Sequence, residues 1–164
     1  MTFNPELSMI NDPYKLRLGS QLDQGKLLQF MQLSYGEIYP NQNFNHLKDT
    51  VKKLFSEQTP LWWIDFKLDT IGCLWLGNAI DQGSGESYTY IFLIYVKPEH
   101  RKKGLGKELI NIAENWAKEK GDRQIGLQVF INNKSAINLY EKLGYETESL
   151  SMIKRLRSSN KHIA

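Results

Sequence analysis

The stretch from Tyr88 to Leu109 constrains the fold more than any other part of this chain. The run Tyr90-Ile91-Phe92-Leu93-Ile94-Tyr95-Val96 is almost wholly apolar and leads into Lys97-Pro98-Glu99-His100. Arg101-Lys102-Lys103-Gly104-Leu105-Gly106-Lys107 follows, and then an amphipathic segment. A strand that is apolar throughout must be covered on both faces, which requires a layered fold with helices against a sheet. The junction reads as a tight basic turn that starts a helix. Bare backbone N–H groups, two glycines and flanking cations at a helix start form an anion site, and phosphate is the expected anion.

Two familiar phosphate motifs fail here. A P-loop requires Ser or Thr after Gly-Lys, where this chain has Glu108 after Gly106-Lys107, and its first Gly position holds Arg101. The dinucleotide fingerprint requires a third Gly where this chain has Leu109. The pattern present is Arg-x-x-Gly-x-Gly directly after a strand. Downstream, Asn133-Lys134-Ser135-Ala136-Ile137-Asn138-Leu139-Tyr140-Glu141-Lys142-Leu143-Gly144-Tyr145 meets a second pattern, Asn-x-x-Ala-x-x-Leu-Tyr-x-x-x-Gly-Tyr. The two motifs in this order resemble the GNAT superfamily of N-acetyltransferases, closely over Thr70 to Leu156 and only in topology before that.

The periodicities predict the following order. Residues 1–13 form a loose arm, and Tyr14–Leu18 alternates as a strand. Helices follow from about Leu22 to Tyr35 and from Asn45 to Glu57. Leu61–Phe66 and Thr70–Leu76 form a hairpin turning at Lys67-Leu68-Asp69, and Gly77–Gly85 is a polar loop. Next come the strand through Tyr88–Val96, a helix from Gly104 to Lys120 closed by Gly121, a strand over Ile125–Ile131, a helix over Ser135–Leu143 and a last strand over Thr147–Leu156. Residues 157–164 are a polar tail. The expected class is α/β (α+β). With the resemblance it becomes a GNAT fold over 1–164: one domain with a mixed, mostly antiparallel sheet of about six or seven strands and helices on both faces.

The resemblance implies acetyl-CoA as donor and an N-acetyltransferase activity toward a primary amine, by direct attack through a tetrahedral intermediate. A non-catalytic coenzyme A-binding sensor or partner-binding module is the alternative. It implies that the backbone of Ile94, Tyr95 and Val96 pairs with the pantetheine arm. It also implies that the turn Arg101, Lys102, Lys103, Gly104, Leu105, Gly106 and Lys107 cradles the pyrophosphate. Lys102-Lys103 is bulkier than the common family turn. Asn133 is implied to contact the pantetheine arm, while Asn equally suits a helix N-cap, and both roles stay open. Tyr140 is implied as a cofactor contact and as the acid that protonates the departing thiolate. The general base stays open: Tyr90 occupies the position where some members carry Glu, Glu86 and Asp65 are acids nearby, and a water chain ending in backbone carbonyls is a third candidate.

The acceptor half carries Tyr35, Tyr39, Phe44, Trp62, Trp63 and Trp75, expected to divide between core and an aromatic pocket wall. The acceptor is a small-molecule or peptidyl amine, its identity open. His46, His100 and His162 lack metal-ligand spacing, so no metal is expected. Cys73 is the only cysteine, which excludes an internal disulfide and suggests a cytoplasmic, reducing location; a buried apolar role is expected for it. A net charge of +3 does not by itself argue for nucleic acid, and no apolar run is long enough to span a membrane. A homodimer is left open.

Overall fold

The alternating and apolar segments assemble into one five-stranded sheet in the order β1-β2-β3-β4-β5 in a computed structural model that describes residues 12–157. The strands are β1 (Tyr14–Leu18), β2 (Leu61–Phe66), β3 (Asp69–Ile80), β4 (Ser87–Val96) and β5 (Ile125–Leu127). The first four pair antiparallel in sequence order, and β5 joins β4 in parallel. The helices are α1 (Gln24–Ile38), α2 (Leu47–Leu54), α3 (Leu105–Lys120) and α4 (Lys134–Lys142). The chain divides into two compact units, one ending at Phe130 and one beginning at Ile131. Everything from β1 to β5 belongs to the first, and α4 to the second.

Both faces of the sheet are covered, as the apolar β4 requires. Leu27, Phe30 and Met31 of α1 and Leu47 and Val51 of α2 share a cluster with Leu61, Trp63, Cys73, Trp75, Leu93 and Tyr95 on one face. On the other, α3 buries Leu105, Leu109, Ile110, Ile112, Ala113 and Ala117, and Trp116 meets Trp62 edge to face with ring centroids 5.7 Å apart. Adjacent residues of β2 therefore serve opposite layers, which is why that strand reads as a continuous apolar run rather than an alternation.

Several boundaries differ from the periodicity. Leu22 is 95% exposed and belongs to a short 3-10 turn, Gln21–Asp23, in which Ser20 and Asp23 form a reciprocal capping box. α1 itself runs on to Ile38. α2 stops at Leu54 because the Thr59 hydroxyl donates to the Leu54 carbonyl and the chain turns extended at Phe55.

β3 takes Gly77–Ile80 from the expected loop. The Phe92 ring lies across Gly77, where a Cβ would fall 2.0 Å from a ring carbon. Only glycine lets the strand continue beneath that ring. The remaining loop closes on Asp81, whose amide donates to the Glu86 carbonyl at 2.9 Å and whose Oδ1 accepts from the Ser84 amide at 2.6 Å.

Two strands fall short. Ile125–Ile131 shrinks to Ile125–Leu127, and Thr147–Leu156 forms no strand, with Leu150, Met152, Ile153 and Leu156 all exposed. Their alternation is sound, but alternation makes a strand only where a ladder partner exists, and none pairs with this segment among the described residues. The sheet therefore has five strands there, not six or seven. Of the expected loose ends, 1–13 and 157–164, residues 1–11 and 158–164 lie outside the described residues.

Candidate functional site

The end of β4 and the turn after it form one continuous structure. The Lys97 amide donates to the Ile71 carbonyl at 2.8 Å, extending the β3–β4 ladder by one step. A 3-10 turn, Pro98–His100, with Pro at its start, then redirects the chain. Lys102 adopts φ +60° and Gly104 φ +83°, and α3 begins at Leu105. Gly104 is the N-cap and has no side chain to accept from the first-turn N–H groups. A Cβ built on Gly104 would meet nothing within 4 Å, so the space over the turn is open. The macrodipole of a helix of 16 residues adds positive potential there. Arg101, Lys102, Lys103, Gly104 and Lys107 are exposed, Gly106 is half-buried, and Leu105 is buried as the anchor of the turn in the core.

A second feature lies just upstream. β4 carries one extra residue, Phe92, between the pairs Trp75↔Leu93 and Leu76↔Ile91. The β4–β5 ladder runs from Thr89↔Ile125 to Ile91↔Leu127 and ends at this bulge. Beyond it, Ile94, Tyr95 and Val96 pair with Leu74, Cys73 and Gly72 on the β3 side. Among the described residues no strand pairs with their other edge. Bulges redirect a strand and end pairing, and here the result is an edge of backbone donors and acceptors leading to the turn.

The basic side chains do not all point away from the protein. Arg101 Nε donates to the Val96 carbonyl at 2.7 Å. Its Nη2 donates to both oxygens of Glu37 at 2.8 and 2.9 Å. Tyr95 Oη donates to Glu37 Oε1 at 2.7 Å. Partial burial alone would raise the Glu37 carboxyl, but the bonds from Arg101 and Tyr95 outweigh it and hold the group below its usual range. Burial and the same carboxylate push the Tyr95 phenol well up. Lys103 Nζ donates to Tyr14 Oη at 3.3 Å, which also bonds His100 Nδ1 at 3.0 Å. Glu37 was not among the residues expected at the site. It is the sole acid of α1, but its partners lie 58 and 64 residues away, a pairing that no periodicity reveals.

In the second unit, Asn133 Oδ1 accepts from the Ala136 amide at 3.3 Å and caps α4. Of the two roles left open for it, the cap is seen. Tyr140 lies on the same helix with its ring 5.8 Å from that of Tyr145. Burial pushes its phenol up to about 12, so it keeps its proton at neutral pH. Gly144, at φ +91°, ends the helix.

The acids weighed as bases are otherwise engaged. Burial raises Asp65, but Arg17 Nε at 2.7 Å and the Thr70 hydroxyl at 2.8 Å outweigh it, and its carboxyl sits below the usual range. Glu86 pairs with Arg123 at 3.7 Å on the surface. Burial raises the Tyr90 phenol, and it carries no carboxylate.

Of the aromatic residues expected to line an acceptor pocket, Trp62, Trp63 and Trp75 are fully buried core. These three therefore fall on the core side of the expected division. Tyr35, Tyr39 and Phe44 are half-buried around the end of α1, with Tyr35 6.1 Å from Phe44 and Tyr39 5.4 Å from Phe130. An open cleft of about 330 Å³ lies elsewhere, between Gly19, Phe55, Pro60 and Trp116, and of the expected aromatic residues only Trp62 lines it. Cys73 is fully buried, and burial raises its thiol well above the usual range. No group of His, Cys, Asp and Glu fit to hold a metal occurs among the described residues, and His162 lies outside them. No described helix is long and apolar enough to cross a membrane.

Comparison with known proteins meets this geometry. The chain is 37% identical over 89 residues to an uncharacterized N-acetyltransferase of Methanocaldococcus jannaschii, covering 51% of this chain and 38% of that protein. It is 30% identical over 114 residues to the N-terminal acetyltransferase B complex catalytic subunit of Arabidopsis thaliana, covering 65% of each. The chain thus spans less than two thirds of the length of these relatives. Among solved structures, a putative acetyl transferase from Pyrococcus furiosus superposes with TM-score 0.73 at 23% identity, over 87% of this chain and 99% of that one. An aminoglycoside N-acetyltransferase in complex with CoA gives TM-score 0.67 at 16% identity, over 88% and 95%. These likenesses show the fold. The sequence profile of the Acetyltransferase (GNAT) family matches residues 26–145, and the chain belongs to that family.

Proposed function

We propose that this protein is an acetyl-CoA-dependent N-acetyltransferase acting on a primary amine. One observation carries the reading: the edge of β4 beyond Ile91 leads into a turn whose Gly104 leaves open space over uncapped helix N–H groups. Ile94, Tyr95 and Val96 present backbone groups that suit the pantetheine amides. The turn from Arg101 to Lys107 suits the pyrophosphate. Relatives support the donor and the acceptor class, since one solved neighbour holds CoA and a pig relative is a thialysine N-epsilon-acetyltransferase.

In the proposed reaction the neutral amine nitrogen attacks the thioester carbonyl carbon. The tetrahedral adduct collapses, the carbon–sulfur bond breaks, and the sulfur takes the Tyr140 hydroxyl proton. The amine's own proton goes to water, from which Tyr140 regains one, because Glu37 and Asp65, held below the usual carboxylate range, are weak bases. Asn133 contributes by capping the helix that carries Tyr140. A small or peptidyl amine, one domain over 1–164 and a cytoplasmic location belong to the same proposal.

The test is release of free thiol from acetyl-CoA across a panel of amino acids, polyamines, amino sugars and peptides. Amine-dependent release with an acetylated product is expected. Tight acetyl-CoA binding with no release on any amine would favour a non-catalytic coenzyme A-binding module instead.

A further inference from the structure

Arg101 opens the basic turn, yet its guanidinium leaves the turn. It reaches back to the Val96 carbonyl and across to Glu37 on α1, lying 5.4 Å from the centroid of the Tyr95 ring. Glu37 in turn accepts from Tyr95. The end of α1 therefore meets the end of β4 and the start of the turn, 58 and 64 residues further along the chain, on one carboxylate.

We propose that Glu37 is a positioning residue for the proposed cofactor turn, its carboxylate drawing the Arg101 guanidinium onto the end of β4 and so setting the backbone from Arg101 to Gly104. This rests on the assignment of that turn to pyrophosphate. A phosphate held by backbone N–H groups needs those groups fixed before it arrives, because ordering them on binding costs affinity. Between Arg101 and Gly104 the chain passes through two residues with positive φ, Lys102 and Gly104, and the Arg101 side chain ties the near end of that path. The Arg101 charge is then matched by Glu37, which leaves Lys107 and the N–H groups to meet the phosphates. Glu37 also lies between Tyr35 and Tyr39 on α1, so the cofactor turn and the proposed acceptor wall share this ion pair.

The experiment is calorimetry of acetyl-CoA with the wild type, Glu37→Gln, Arg101→Gln and the double variant, each first shown to be folded by its thermal transition. Each single change should weaken binding about three- to tenfold, the scale of one charge-assisted contact. The double variant should be no weaker than the weaker single, because both changes remove the same brace. The salt dependence of affinity should not change in the double variant, which removes a matched cation and anion together. In turnover the loss should fall on the KM for acetyl-CoA rather than on kcat, and Glu37→Asp should recover part of it. Tighter binding by Glu37→Gln would overturn the inference, for it would mean that the guanidinium meets phosphate and Glu37 competes for it. Additive losses, or unchanged affinity, would overturn it too. A wild type that does not bind acetyl-CoA would instead overturn the assignment of the turn.

Discussion

Thr89 gives both of its donors to one oxygen of Asp122: the amide at 2.7 Å and the hydroxyl at 2.6 Å reach Oδ2. Thr89 is fully buried near the start of β4, and Asp122 directly follows the Gly121 cap of α3. The pair fastens the end of α3 to β4. Asp122→Ala leaves both Thr89 donors without that acceptor and should cost about 2–4 kcal/mol, more than an exposed polar change. Urea unfolding measures it; a loss below about 0.5 kcal/mol, the range of surface changes, would refute this role.

The same carboxylate sets an acid limit. Burial would raise Asp122, but the Thr89 and Lys120 bonds outweigh it, and Asp122, Asp65 and Glu37 all sit below their ordinary values. A carboxyl with a lowered folded value stabilises fully above its unfolded value and loses that contribution as the pH falls through the folded one. Stability should therefore hold from pH 7 to about 5 and decline below about 4, near the ordinary carboxylate range. The decline should be shallower in Asp122→Asn. Urea midpoints across this range check both statements.

Gly104→Glu should abolish acetyl-CoA binding while the fold survives. The site has room for a side chain, so no packing clash arises. The left-handed backbone alone should lower stability by about 1–2 kcal/mol. The new carboxylate stands where phosphate must approach the helix N-terminus. Calorimetry reads the affinity and a thermal scan the fold; unchanged affinity would remove this turn from the cofactor site.

Tyr140→Phe should reduce turnover about ten- to a thousand-fold with little change in acetyl-CoA affinity, since only the proton donor is lost. With the phenol pushed up to about 12, no limb of the pH–rate profile between pH 6 and 9 should arise from this residue. Steady-state kinetics on the best acceptor, with a direct binding measurement, test both. Equal turnover by the variant would mean that thiolate departure needs no help from this hydroxyl.

Tyr39→Ala should raise the acceptor KM and spare acetyl-CoA affinity. Its ring meets Phe130 and Tyr35 at the end of α1 and is half-buried, which makes it the best placed of the remaining aromatic set. The rate itself should climb with pH until the amine is largely neutral. Initial rates over acceptor concentration and pH decide this, and a weaker cofactor with an unchanged acceptor KM would reverse the placement of the two sites.

Local physics made much of this protein legible in its sequence. The Arg-x-x-Gly-x-Gly turn is a matter of backbone conformation within a few residues, so Gly104 at positive φ and the uncapped start of α3 could be read before any fold was known. The same holds for Gly121, Gly144 and the Asn133 cap, each a local solution to a helix end. What pairs across distance could not be read that way. Trp63 looks the same in sequence whether it walls a pocket or fills the core, and only the packing of α1 and α2 on the sheet decided for the core. Thr147–Leu156 alternates as a strand should, but a strand is a relation between two chains of hydrogen bonds and this one has no described partner. Glu37 gains its place from Tyr95 and Arg101, far along the chain. A turn or cap is determined by the residues that form it, whereas burial, ladders and ion pairs depend on what tertiary folding brings alongside.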